Sequence, residues 1–312
     1  MLVGVCLEYR RRASLFFSRA DDGGFRMFLG TPLMIGLLSC AAVVPVATLY
    51  LAARERGIGG SRATVFVASW AVLVMLPLVV VVFMPLPFLG AYDFAGAIPF
   101  HLGAGVAAIV VGFRAPRRRE TVLDAMPVPR LLGLVFLVWL AWLTWLVLME
   151  LDVNQFSSRI ALSVAVITAV SVLTALVVER LRSGRLSRGG AIVGLLSGLA
   201  ASTASCAYLE PIGATVTGVA AGALAMLVFT GRRTRGDTSL ATIIAVTNLG
   251  GGIVGLVMIG LFDSGRGFLY TGAPTLPVGQ LAGVFGALAW STVLCMVAGL
   301  AALRKARASE RT

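Results

Sequence analysis

HLGAGVAAIVV at residues 101–111 and NLGGGIVGLVM at residues 248–258 align without a gap, with identical or near-identical residues in almost every column. Each run lies inside a longer apolar segment. A membrane-spanning helix needs roughly 20 apolar residues, and nine segments qualify: 28–52, 62–84, 93–113, 130–150, 157–179, 190–208, 212–230, 237–262 and 279–303. The matching runs fall on the third and eighth of these. An offset of five helices is odd, so the two copies cross in opposite directions and form an inverted repeat. Repeats of this kind bring symmetry-related residues together near the middle of the bilayer, which makes His101 and Asn248 expected partners on a transport path. The fold expected is all-α, a polytopic membrane protein with about nine transmembrane helices. The second copy extends over the fourth to eighth helices while only three are available for the first, so two helices are expected to be absent from the front. The last helix stands outside the repeat.

Composition agrees. Of 312 residues, 58% are hydrophobic and 13% charged, too few charges to cover a soluble surface. The formal net charge of +12 would suggest nucleic acid in a soluble chain, but here the arginines cluster between apolar runs, where they orient helices instead. One set of alternate loops holds Arg54, Arg56 and Arg62, the Arg114–Arg130 group, Arg180, Arg182, Arg185 and Arg188, Arg232, Arg233 and Arg235, and the C-terminal Arg304, Lys305, Arg307 and Arg311. The opposite set holds Arg159 and Arg266. The division is 19 against 2 of the 26 basic residues, which places the C-terminus in the cytoplasm by the positive-inside rule. The remaining five, Arg10, Arg11, Arg12, Arg19 and Arg26, conflict with that orientation. Met1–Leu7 is too short for the hydrophobic region of a cleaved signal and reads as the end of a truncated helix. The organisation expected is an N-terminal segment 1–26, a membrane domain 27–304 and a cytoplasmic tail 305–312. Four separated cysteines and a single histidine give no zinc ligand set or disulfide framework, and no phosphate-binding loop or nucleophile elbow marks an enzyme.

DFAGAIPFHLGAG, residues 93–105, resembles the signature of the ammonium transporter and Rhesus channel family, in which an Asp-Phe-Ala-Gly start is followed eight residues after the aspartate by the first of two pore histidines. NLGGGIVGLVMIGLF at 248–262 is similar to the family's second histidine helix, SGLAASTASCAYLEP at 197–211 to its eighth helix, and QLAGVFGALAW at 280–290 to its last. The resemblance covers residues 28–303 and implies eleven helices in the whole fold, two inverted sets of five and a closing helix. It also implies homotrimers, a substrate of ammonium or ammonia, no cofactor, and a narrow apolar pore in each subunit.

Three positions depart from the family pattern. The second pore histidine is replaced by Asn248, which can hydrogen-bond but cannot take up a proton. The Phe-Asn-Ala-Gly-Ser pore stretch aligns with Trp145–Met149, keeping an aromatic residue and exchanging serine for Met149. The tryptophan of the cation-recruiting site aligns with Phe83, a weaker cation-binding face.

Candidate pore residues are therefore His101, Asn248, Trp145, Phe83 and Phe100, with Asp93 as structural support. Each has a plainer alternative: a buried histidine bonded to a neighbouring helix, an aspartate capping a helix, aromatic rings that pack or anchor at the interface. The glycine pairs Gly194/Gly198, Gly218/Gly222 and Gly251/Gly255 have the spacing of close helix contacts. The functional expectation is a multi-pass cell-membrane transporter or channel for ammonium. The alternative is a non-transporting sensor, scaffold or decayed remnant, and a third possibility is a channel for another small neutral solute. No motif identifies a cytoplasmic regulatory protein.

Overall fold

In the computed structural model, the described residues are 24–83, 88–113, 126–151 and 155–303. They form nine long helices: α1 Gly24–Glu55, α2 Gly60–Phe83, α3 Ile98–Gly112, α4 Val128–Leu148, α5 Gln155–Ser183, α6 Arg188–Ser205, α7 Pro211–Thr234, α8 Leu240–Phe262 and α9 Thr275–Leu303. Most of the expected N-terminal segment 1–26, the Arg114–Arg119 cluster, Asp152 and the tail 305–312 lie outside the described residues.

Seven of the nine are long and apolar enough to cross a membrane; the exceptions are α3 and α6. Most residues of α3 and α6 are buried, so these two are largely enclosed by protein and offer little surface to lipid. The outer helices carry the apolar face. Leu132, Phe136 and Leu137 on α4, Leu173 and Val177 on α5, and Val293 and Val297 on α9 are exposed, as expected where the surrounding solvent is hydrocarbon. The molecule is an all-α polytopic membrane protein.

The expected glycine pairs sit at the closest crossings. A Cβ on Gly194 would stand 2.8 Å from Val172 Cα of α5, and one on Gly218 would stand 2.8 Å from Val170 Cβ of the same helix. α5 is thus clasped between α6 and α7 through small residues. Gly251 and Gly255 of α8 lie against Ser197, Ala200 and Ala201 of α6.

Among the described residues three helices contain π turns, one of them Ala71–Met75 in α2, and the other two lie at equivalent places of the repeat. Ile98–Leu102 opens α3, and Ala245–Leu249 lies within α8. His101 is the fourth residue of one and Asn248 the fourth of the other, 147 positions apart. The packing around them is reciprocal. A Cβ on Gly105 would lie 2.8 Å from Leu249 Cβ, and one on Gly252 would lie 2.6 Å from Leu102 Cδ1. Gly252 is the repeat counterpart of Gly105, and Leu102 that of Leu249. Each half inserts its leucine against the other half's glycine, as a two-fold axis between them requires.

The third predicted segment, 93–113, is helical only from Ile98. Asp93 ends the loop before it: Oδ1 accepts from Gly96 N at 3.0 Å and Ala97 N at 2.8 Å, and Oδ2 from Ile98 N at 2.7 Å. Gly96 has φ +91°, and a Cβ there would meet the Phe100 ring at 2.8 Å. Similarly, α8 begins at Leu240 rather than near 237, because Ser239 Oγ accepts from Thr242 N and Glu55 Oε2 accepts from Leu240 N at 2.7 Å.

Polar contacts tie each set of loops into its own end of the bundle. At the arginine-rich end, Arg56 pairs with Asp237 at 2.9 Å, Asp237 also with Arg232 at 2.7 Å, and Glu179 with Arg233 at 2.9 Å. At the other end, Arg266 pairs with Asp263 at 2.9 Å and lies 4.1 Å above the Tyr92 ring, while Arg159 pairs with Glu210. Among the described residues, Arg56, Arg232 and Arg233 thus pair at one end of the bundle and Arg159 and Arg266 at the other.

Candidate functional site

His101 is 3% exposed and both of its ring nitrogens are engaged. Nδ1 lies 2.7 Å from Asn248 Oδ1, and Nε2 lies 3.1 Å from Thr203 Oγ1 of α6. Trp142 of α4 stacks on the imidazole, with centroids 5.5 Å apart and planes 16° apart, and its Nε1 donates to the same Thr203 oxygen at 3.0 Å. Thr203 Oγ1 also stands 2.8 Å from Leu199 O, one turn back in its helix. For a neutral ring, two proton arrangements are open, since the Thr203 hydroxyl has one proton to give either to Nε2 or to Leu199 O. Either Nδ1–H donates to Asn248 Oδ1 and the Thr203 hydroxyl donates to Nε2, or the Asn248 amide turns over, donates to Nδ1, and Nε2–H donates to Thr203. In both, four helices meet through one imidazole.

The loop that carries Asp93 is held from two sides. Phe94 N donates to Ala204 O and Ala95 N to Thr203 O, each at 3.1 Å. Gln280 of α9 is fully buried and pairs with both backbone groups of Tyr92, its Nε2 donating to Tyr92 O at 3.1 Å and its Oε1 accepting from Tyr92 N at 3.3 Å. Asp93 thus holds the turn ahead of α3 by three backbone N–H groups, and that turn sets the direction in which α3 projects Phe100 and His101.

Trp145, Phe100 and Phe83 also come together. The Phe100 and Trp145 rings meet edge to face at 6.3 Å, and Trp145 meets Trp142 in the same manner at 5.7 Å. Phe83 and Phe100 both border the space beside Gly96. Leu146 and Met149 complete an apolar cluster with Phe83, Phe94, Trp142 and Trp145. Every candidate pore residue therefore belongs to one contiguous region. Two were missed: Trp142, one helical turn before Trp145 and so on the same face of α4, and Thr203, inside the 197–211 stretch. A surface cavity of about 320 Å³ bordered by Arg159, Leu162, Leu209 and Glu210 shares no residue with this region.

An inverted repeat of membrane helices with a polar pair on its axis defines a transporter-type architecture. The sequence profile of the Ammonium Transporter Family matches residues 37–307, and the chain belongs to that family. It is 27% identical to an ammonium transporter of Mycobacterium tuberculosis over 227 residues, which are 68% of this chain and 47% of the relative. It is 25% identical over 308 residues to a putative ammonium transporter of Methanothermobacter thermautotrophicus, covering 95% of this chain and 72% of that one. The crystal structure of Saccharomyces cerevisiae Mep2 superposes with a TM-score of 0.73 at 22% identity, over 84% of this chain and 62% of Mep2, a likeness of fold. The chain therefore spans about half the length of the mycobacterial transporter it matches.

Proposed function

We propose that this chain moves ammonium nitrogen across a cell membrane, passing it as ammonia where His101 and Asn248 meet. The observation that carries the reading is the 2.7 Å contact of these two residues at the junction of the inverted halves, in a chain of the Ammonium Transporter Family. A cation is met by the aromatic faces of Phe83 and Trp145, where ring quadrupoles attract positive charge. It gives up its proton before the enclosed stretch, because a bare charge there is costly. The neutral molecule then exchanges hydrogen bonds past His101 and Asn248. Asn248 cannot carry a proton, so a relay between two titrating side chains is not available at this centre.

The assembly that fits this reading is a homotrimer with one path per subunit, no enzymatic step, and the arginine-rich loops and C-terminus in the cytoplasm. Flux into proteoliposomes tests it. The parent chain should conduct ammonia above empty vesicles, and His101→Ala should change that conductance. No flux from folded protein would sink the transporter reading and leave a sensor or scaffold, to which the loss of the second histidine is also suited. Faster passage of urea or carbon dioxide than of methylammonium would instead point to a different neutral solute.

A further inference from the structure

All five tryptophans lie among the described residues, and four have an acceptor for the indole N–H. Trp70 Nε1 donates to Gly103 O at 3.1 Å, Trp139 to Thr168 Oγ1 at 3.0 Å, Trp142 to Thr203 Oγ1 at 3.0 Å and Trp290 to Leu73 O at 3.2 Å. Trp145 Nε1 is sealed within the molecule and has no partner among the described residues. Buried indole N–H groups ordinarily find an acceptor, and one that does not calls for an explanation. This one belongs to the ring that touches both Phe100 and Trp142, and Trp142 is the ring stacked on His101.

We propose that the Trp145 N–H is a binding group for the solute, and that it selects a small neutral molecule with a free lone pair. An indole nitrogen donates and cannot accept. Ammonia offers a lone pair to such a donor, whereas ammonium has none, since all four of its nitrogen orbitals hold protons. The two parts of one side chain therefore discriminate in opposite senses. The ring face attracts a cation, and the N–H edge donates only to the deprotonated base. Trp145 thereby marks the place where the species carried must already be neutral. Naming ammonia as the ligand rests on the function proposed above; the requirement for a lone pair does not.

The test is the indole region of the nitrogen–proton NMR spectrum of the full chain, ¹⁵N-labelled and held in lipid nanodiscs. Five indole signals are expected, and the one absent from Trp145→Phe is assigned to Trp145. Ammonium chloride is then exchanged for sodium chloride at constant ionic strength, once well below and once well above the pH at which ammonium deprotonates. The Trp145 signal should shift with added ammonia at high pH and stay in place with ammonium at low pH, while the other four remain fixed. A signal that does not move at high pH, or that moves equally with ammonium, overturns the proposal. Liposome flux separates the two claims: a shifting signal in a chain that conducts nothing would remove the transport reading and leave the neutral-base site standing.

Discussion

Thr203 joins His101, Trp142 and its own helix through one hydroxyl, so its removal is the most informative single change at the centre. Thr203→Val keeps the shape but leaves the Trp142 N–H and one His101 nitrogen without their partner. A buried polar group left unsatisfied costs about 1–3 kcal/mol; a lowered thermal midpoint in detergent should show it, together with altered Trp142 fluorescence. An unchanged midpoint would mean that the network is not closed in the membrane. His101, Asn248 and Asp93 were legible in the sequence because ionisable and amide groups are rare in apolar segments, and because the repeat paired the first two. Thr203 was not, since a threonine hydroxyl in a helix commonly bonds the carbonyl one turn back, as this one does with Leu199, and nothing in its neighbours marks it as a hub. Trp142 was hidden among three tryptophans on α4, where an aromatic ring facing lipid and one facing protein look alike in sequence.

At the scale of elements, the nine helices followed from apolar segment lengths, but their ends and their π turns did not. IPFHL and AVTNL carry no composition that separates a π turn from an ordinary one, and the extra residue per turn becomes visible only in the backbone. The axial contact between α3 and α8 gives a prediction with an internal comparison. Gly105→Ala drives a methyl into Leu249, and Gly252→Ala drives one into Leu102. Overpacking of this kind costs about 1–3 kcal/mol. Gly105→Ala, which meets Leu249 at its Cβ and backbone, should be destabilised more than Gly252→Ala, which meets the movable end of Leu102, and the double variant should fall short of or exceed their sum, because both act on one crossing. Strict additivity in thermal unfolding would argue that the two contacts do not share an axis. Gly96→Ala belongs to the same scale. It combines φ +91° with a collision against Phe100, so it should tilt the start of α3 and reduce ammonia conductance even where the protein still assembles.

At the scale of the molecule, the loops at the arginine-rich end are held by buried charge. Burial works to raise the Asp237 carboxyl, but hydrogen bonds from Thr242 and Ser239 and the Arg56 guanidinium beside it outweigh burial and hold it at about 2. A carboxyl lowered on folding contributes stability that is complete above its ordinary value of 3.8 and is lost as pH falls through about 2. Acid unfolding should therefore show a component between pH 4 and 2 that is missing in Asp237→Asn. That variant also removes the charge opposite Arg56, which keeps its bond to Ser239, and breaking a buried pair costs up to about 3–5 kcal/mol, so it should be less stable than the parent at neutral pH. If high salt abolished the difference, the pair would be exposed rather than enclosed. The general architecture was readable because bilayer crossing, loop charge and repeat offset are all one-dimensional signals. Which loops are pinned by buried pairs was not, since Arg56 and Asp237 are 181 positions apart and nothing local in either announces the other. The reciprocal seating of Leu102 and Leu249 bears finally on direction. A frame with a two-fold axis presents related backbone to a traveller from either side, so an identical pair at its centre would look the same from both approaches at that point. An imidazole opposite an amide breaks that local equivalence, as Trp142 and Thr203 beside His101 also do, and Asn248→His would restore it at the pair alone.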